Sequence, residues 1–146
     1  MRSFIQVFLV GLFGMVAAAP LLNREAMLLG RATTQIFPDS ITNTTCTNKA
    51  QTMVSHDINV AILSICGGIA GTIQKCQGAP TATTGTSGTA SFAITTTASG
   101  ATINVSKGRW EHCVAAARAV CGDTPFTTTC LGGASTGDLN VVLTHT

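Results

Sequence analysis

The placement of six cysteines behind an apolar leader constrains this chain more than any other feature. Arg2 lies close to the N-terminus, an apolar run follows over residues 4–16, and small residues stand at positions 16–18. That order is typical of a secretory signal peptide, and the apolar run is too short to span a bilayer. The cysteines follow at Cys46, Cys66, Cys76, Cys113, Cys121 and Cys130.

An even number of cysteines in an exported chain predicts three disulfides, and six cysteines allow 15 pairings. A zinc site is the alternative. However, no two cysteines are spaced as Cys-x-x-Cys, and His56, His112 and His145 are not spaced like metal ligands. We therefore expect disulfides, no metal and no cofactor.

The leader divides the chain into three parts. We predict a signal peptide over residues 1–18, a candidate propeptide over 19–31 with a basic processing site at Arg31, and a secreted, extracellular domain over 32–146. Cleavage after Arg31 would remove the excess of basic residues and leave a formally neutral domain. No cluster of lysine and arginine remains that could neutralise phosphates, so a nucleic acid is not an expected partner.

Two Asn-x-Ser/Thr triplets predict N-glycosylation if the chain is exported. They are Asn43-Thr44-Thr45 and Asn104-Val105-Ser106, and the acceptor residues are Asn43 and Asn104. The alternative is chance, because such triplets arise readily in a threonine-rich chain.

The first half of the domain predicts a strand followed by a helix. Residues 32–40 are expected to be a loose lead-in, and threonine-rich residues 41–47 favour a short strand. Ser55 or Asp57 can cap a helix whose isoleucines recur at helical spacing through residue 73. Glycines weaken this helix, so it either bends or breaks near Gly67.

The middle of the domain predicts a loop and a hairpin. Residues 78–90 are rich in glycine, threonine and serine, which is typical of a flexible loop. Alternation over residues 91–97 predicts a strand, which would pair with residues 102–105 through a turn at 98–101.

The C-terminal part predicts a second helix and a last strand. Ser106 can cap a helix that ends at Gly122, and a connector over 125–129 leads to a strand over 138–145. One stripe of the helix is apolar and includes both of its cysteines: Trp110, Cys113, Val114, Ala117 and Cys121.

This order predicts an α+β fold with a small antiparallel sheet and two helices on one face. The connectivity would be that of a ferredoxin-like βαββαβ or αββαβ sandwich, stabilised by the disulfides.

The consecutive residues Glu111, His112 and Cys113 have the side-chain types of a thiol active site. Neighbouring residues of a helix point about 100° apart, so a nucleophile and base at these positions could not form a hydrogen bond. We interpret Cys113 as a structural anchor. The neighbours His56 and Asp57 are assigned to a helix start and a solvated face rather than to acid–base chemistry. We expect no catalytic residue.

The glycines around Gly67 and Gly71 form a Gly-x-x-x-Gly pattern in an uncharged run, which a membrane-active helix could use. The run is shorter than about 20 residues and contains polar side chains, so we expect a buried helix packed closely through its glycines and no stable membrane span.

Two cysteine-bearing segments, DINVAILSIC (57–66) and WEHCVAAARAVCG (110–122), flank the predicted hairpin. Together with the leader and the six cysteines, this pattern resembles fungal small secreted cysteine-rich proteins. It is similar to the small glycan-binding proteins of mushroom-forming fungi, and its element order is similar to that of killer-toxin-like effectors. The resemblance implies a disulfide-linked domain and transfers no ligand residue to a numbered position.

We expect a secreted, non-enzymatic binding module, because a threonine-rich, charge-poor surface can hydrogen-bond neutral, hydroxyl-rich ligands. Its partners would be cell-wall or cell-surface glycans. The alternatives are a killer-toxin-like effector or antimicrobial protein that acts on a competitor or host surface, and a small secreted hydrolase.

Overall fold

The computed structural model describes residues 36–69, 76 and 78–146. The predicted signal peptide (1–18), the candidate propeptide (19–31), Arg31 and Gly71 lie outside these residues.

The described part of the chain forms five strands and two α-helices. In chain order they are β1 (Ile41–Cys46), α1 (Ser55–Ser64), β2 (Ala82–Ser87), β3 (Ala90–Thr96), α2 (Lys107–Cys121), β4 (Phe126–Cys130) and β5 (Leu139–His145). Short 3-10 turns lie at Pro38–Ser40 and Ile65–Gly67.

The strands lie in the order β1-β4-β5-β3-β2, and every neighbouring pair is antiparallel. The predicted α+β class, with an antiparallel sheet and two helices, is confirmed. The ferredoxin-like connectivity is not confirmed, because the sheet has five strands in the described residues and β1 lies at an edge. The chain crosses over from β3 to β4 through α2, and β5 lies between these two strands in the sheet.

Both helices cover one face of the sheet. Side chains on this face alternate with outward ones along each strand, and Phe92 and Phe126 are fully buried on it. The Trp110 ring of α2 meets Phe92 edge-on at 5.2 Å between ring centroids, and its indole N–H donates to the carbonyl of Ile62 in α1 over 2.8 Å. One tryptophan therefore joins both helices to the sheet.

The prediction of a flexible loop over residues 78–90 is wrong, because Ala82–Ser87 forms β2 and pairs with β3 in a hairpin. Gly85 is one of the glycines that favoured a loop over these residues. A Cβ at this position would lie 2.5 Å from the carbonyl oxygen of Ala61, so the glycine lets α1 pack directly on the strand.

Two further assignments are corrected by the sheet. The prediction of a partner strand for β3 over residues 102–105 is wrong, because these residues form no strand and Ile103 makes only an isolated bridge to Ala134. The prediction of a connector over residues 125–129 is also wrong, because most of these residues belong to β4. Their threonines alternate between the two faces, as β-branched residues do in strands.

The first helix ends earlier than the isoleucine spacing suggests. Its α-helical part stops at Ser64, and Cys66 and Gly67 then adopt positive φ, so the predicted break near Gly67 is confirmed. Gly67 is exposed, and a Cβ there would meet nothing within 4 Å, so it does not provide the predicted close packing. The predicted cap is also wrong: Val54 occupies the cap position without a side-chain hydrogen bond. None of the helices in the described residues is long and apolar enough to cross a membrane.

The second helix agrees with its prediction. The Ser106 hydroxyl accepts a hydrogen bond from the Arg109 amide over 3.4 Å, and the helix ends at Gly122, which has a φ of +65°. Trp110, Cys113 and Cys121 are on its buried side.

The three predicted disulfides are confirmed. Cys46–Cys121 joins β1 to the end of α2, Cys113–Cys130 joins α2 to β4, and Cys66–Cys76 closes a short loop after α1. The chain therefore contains a disulfide-bonded, cysteine-rich domain.

A β-bulge in β1 makes the first of these disulfides possible. Ile41 and Cys46 are five residues apart, so in a regular strand they would face opposite sides of the sheet. The register shifts between Thr42 and Thr45, and Asn43 adopts a φ of +54°. The extra residue in the bulge shifts the alternation of side chains by one position, so Ile41 and Cys46 both pack against the core.

Candidate functional site

A pocket of about 440 Å³ opens beside the start of α2. Its volume falls within the range of small-molecule sites, which is about 300–1,000 Å³. Three parts of the chain form it: the 3-10 turn near the described N-terminus, the first turns of α2 and the residue that follows β4. The lining residues are Phe37, Asp39, Ser40, Ser106, Arg109, His112 and Leu131.

The helix places its polar side chains in the pocket by its periodicity. Arg109 and His112 are three residues apart and therefore lie on one face of α2. The disulfide from Cys113 to Cys130 holds this face against the end of β4, next to Leu131.

Backbone hydrogen bonds hold the opposite wall. The Leu131 amide donates to the Ser40 carbonyl over 2.9 Å, which joins the 3-10 turn to the end of β4. The Ser40 hydroxyl donates to the carbonyl of Phe37 over 2.6 Å and closes the turn. Residues 36–40 are therefore not the loose lead-in that the sequence suggested.

The loop that follows β4 holds the guanidinium of Arg109 in place. Its Nη1 donates to the Leu131 carbonyl over 3.0 Å. Gly132 has a φ of +70°, which favours glycine, and a Cβ there would lie 2.7 Å from the same nitrogen, so the Arg109 guanidinium would have to shift. The Gly132 amide donates to the Asp138 carboxylate over 2.7 Å, which fixes the loop.

Phe37 supplies an aromatic surface. Its side chain is 37% exposed, whereas Trp110, Phe92 and Phe126 are fully buried. Among the residues described, Phe37 is thus the one exposed phenylalanine or tryptophan. Its ring lies 4.5 Å from the ring of His112, tilted by 41°.

The pocket combines hydrogen-bonding groups of both kinds. Arg109 offers N–H donors, Asp39 offers carboxylate acceptors, and Ser40 and Ser106 offer hydroxyl oxygens. Such a set can bind vicinal hydroxyl groups, which donate and accept at the same time. Asp39 and His112 also place an acidic and a basic group in one pocket.

The three consecutive residues of the thiol-like motif have separate roles. Glu111 pairs with Lys107 over 2.6 Å, His112 contacts the ring of Phe37, and Cys113 is bonded to Cys130. Of the three, only His112 lines the pocket.

Of the neighbours His56 and Asp57, only Asp57 ties α1 to the β2–β3 hairpin, and His56 is exposed. The Asp57 carboxylate accepts hydrogen bonds from the amide and hydroxyl of Thr89, at 2.8 and 2.9 Å. The amide hydrogen bond from Thr89, followed by the hydroxyl bond, lowers the pKa of Asp57 below its ordinary value of 3.8, and His56 adds a small effect. A Cβ on Gly88 would collide with this carboxylate, so the turn needs its glycine.

Both predicted glycosylation residues are exposed. Asn43 lies in the bulge of edge strand β1, and Asn104 precedes the helix cap at Ser106. Glycosylation at either position stays a prediction.

Within residues 36–69, 76 and 78–146, no three histidine, cysteine or acidic side chains lie together where a metal ion could be held. All six cysteines are paired in disulfides.

Sequence reasoning missed most of this pocket. Asp39, Ser40 and Phe37 fell in the assumed lead-in, and Arg109 and Leu131 were not singled out. A signal was present, because Pro38 followed by an acidic residue and a serine is typical of a tight helical turn. Nothing in the sequence indicated that this turn would meet α2.

No protein-family model, no curated protein and no solved structure matches this chain. The resemblance to fungal glycan-binding proteins and to killer-toxin-like effectors therefore stays a prediction, and the function has to be argued from the pocket.

Proposed function

We propose that the protein is a secreted, non-enzymatic binding module that holds a sugar residue of a cell-wall or cell-surface glycan in the pocket beside α2. The observation that carries the proposal is the position of Phe37. The one exposed phenylalanine or tryptophan ring of the described residues lies in the same pocket as a guanidinium, a carboxylate and two hydroxyls.

A sugar ring suits this pocket because it has an apolar face and a rim of hydroxyls. The apolar face can pack on Phe37, and the hydroxyls can donate to Asp39 and accept from Arg109. Hydrogen bonds to charged groups are stronger than those between neutral groups, so these two residues would fix the orientation of the ring.

The scaffold is consistent with an extracellular role. Three disulfides are typical of small domains that fold in oxidising compartments, and two of them hold α2, which forms one wall of the pocket. A prearranged pocket loses little entropy on binding, which favours recognition of a small ligand.

The proposal is tested with a glycan array, using the secreted protein produced from the full chain. The bound glycans are then titrated against Phe37→Ala, Asp39→Asn and a control, Val120→Ala. Val120 is 59% exposed on α2 and does not line the pocket.

We expect Phe37→Ala to weaken binding about thirty-fold, because truncating a central aromatic anchor costs about 2 kcal/mol. The control should bind like the wild type. If the array shows no bound glycan, or if Phe37→Ala binds as tightly as the control, the proposal fails.

A small secreted hydrolase is a second candidate, favoured by one observation. Asp39 and His112 line the same pocket, and hydrolysis of a glycan requires an acid and a base close to the scissile bond. Release of reducing ends from array-positive glycans, abolished by Asp39→Asn, would favour this candidate. Binding without turnover would favour the binding module.

A further inference from the structure

The side of the sheet opposite the helices carries an uncharged surface that the pocket does not use. Outward side chains of all five strands form it, and we call it the threonine face. It consists of Thr42 and Thr45 of β1, Thr127 and Thr129 of β4, Asn140, Val142 and Thr144 of β5, Ser91, Ala93 and Thr95 of β3, and Ala82, Thr84 and Thr86 of β2.

Strand pairing aligns these side chains in rows that cross the sheet. One row runs through partners in all five strands: Thr42, Thr129, Asn140, Thr95 and Ala82. The next row runs through Thr45, Thr127, Val142, Ala93 and Thr84. Neighbouring strands are about 4.8 Å apart, so each full row is about 19 Å long.

The composition of the threonine face restricts its partner. None of its thirteen positions has a charged side chain, and threonine occupies eight of them. Protein surfaces usually mix both signs of charge, and edge strands often carry lysine. A face without charge offers no ionic partner to a phosphate, an anionic membrane or an acidic peptide. Because Val142 is its one large apolar side chain, burying it would also contribute little hydrophobic free energy.

Its dimensions argue against a second copy of this chain. Five strands and three rows cover roughly 500 Å², whereas a stable protein–protein interface buries about 800 Å² on each partner. Interface cores are also enriched in aromatic residues, which the threonine face lacks.

Sheet twist decides between a rigid and a flexible ligand. Each strand of a twisted sheet is rotated by about 20–25° relative to its neighbour, so the strand direction changes by roughly 80–100° from the first of five strands to the last. A planar, rigid lattice could contact only part of such a face. A flexible chain with repeating hydroxyl groups can follow a row and hydrogen-bond to successive side chains.

We propose that the threonine face binds a neutral polysaccharide chain laid across the strands. The interaction consists of several weak hydrogen bonds, which add up because the ligand repeats. This surface is separate from the pocket, on the opposite side of the sheet from Phe37's neighbours on α2, and the inference does not depend on the pocket binding a sugar.

The test is affinity electrophoresis of the secreted protein in native gels that contain a neutral β-glucan, a neutral mannan or a carboxylated polysaccharide. The variant Thr95→Lys/Thr129→Lys places two charges in the first row. The control Thr47→Lys/Thr136→Lys adds the same charge at two exposed threonines outside the threonine face. A third variant, Thr95→Val/Thr129→Val, removes two hydroxyls while keeping β-branched side chains.

We expect at least one neutral polysaccharide to retard the wild type, and the carboxylated one to have no greater effect. Both row variants should bind about ten-fold more weakly, as the loss of two hydrogen bonds implies, and the control should be unchanged. Circular dichroism checks that each variant is folded.

The remaining outcomes overturn the inference in distinct ways. Retardation of the row variants equal to that of the control removes the threonine face as a site. A wild-type dimer that the row variants dissociate would assign the face to a second copy. If Phe37→Ala alone abolishes retardation, the pocket is the glycan site and the threonine face is not. By contrast, loss of binding in the row variants but not in Phe37→Ala would support the threonine face, and the glycan array would then test the pocket separately.

Discussion

Removing the disulfide Cys46–Cys121 should destabilise the protein more than removing Cys66–Cys76. The first closes a loop with a sequence separation of 75 and the second a loop of 10. In the chain-entropy model, a cross-link stabilises the fold by restricting the unfolded chain, and the effect grows with the logarithm of loop length.

The difference can be worked out from the two separations. The entropy lost by the unfolded chain corresponds to about 4.5 kcal/mol for the longer loop and about 2.7 kcal/mol for the shorter one at 25 °C. We therefore expect Cys46→Ala/Cys121→Ala to lose roughly 1.8 kcal/mol more free energy of unfolding than Cys66→Ala/Cys76→Ala. Both variants lose two sulfur atoms, so much of the packing loss cancels in this comparison.

Urea unfolding followed by circular dichroism measures both values. Mass spectrometry of alkylated protein first verifies that the two remaining disulfides are intact in each variant. Equal losses, or a larger loss for the short loop, would refute the reasoning. The contribution of each disulfide to the free energy of unfolding would then come from packing in the native state rather than from restriction of the unfolded chain.

Three further substitutions test contacts that join the helices to the sheet. Trp110→Phe leaves the buried carbonyl of Ile62 without its 2.8 Å donor, so we expect a loss of about 1–3 kcal/mol in urea unfolding, and a loss near zero would contradict this role. Gly85→Ala forces the first helix away from β2, and we expect a cost of about 1–3 kcal/mol, measured in the same way; an unchanged or raised stability would show that the helix moves freely. Asp57 has a lowered pKa in the fold because Thr89 donates to it, so its contribution is present above the unfolded value of 3.8 and is lost as pH falls through the lower folded pKa. We therefore expect the wild type to lose stability below about pH 4 and Asp57→Asn to lose less over the same range. An equal loss of unfolding free energy in both proteins as the pH falls would refute this.

The sequence predicted correctly those elements whose signals lie within a few residues of the element itself. Ser106 marks the start of α2 and Gly122 marks its end, because capping residues lie within a few positions of the helix they delimit. The alternation in β5 and the positive-φ break at Gly67 are equally local.

Elements defined by distant partners could not be predicted in this way. β2 contains a glycine that is typical of a loop, and the reason for it is the backbone of α1, about twenty residues earlier in the chain. The pocket is similar, because the turn at Pro38–Ser40 and the start of α2 meet only through the end of β4.

The sequence by itself determined that six cysteines form three disulfides in an α+β domain, because cysteine number, helix periodicity and strand alternation are properties of short stretches. Only the tertiary structure decided which cysteines pair, that Phe37 joins Arg109 and His112, and that the threonines of five strands share one face. These facts depend on register and strand order. Both are set by contacts between residues far apart in the chain, and a single bulge at Asn43 is enough to change which side of the sheet a cysteine faces.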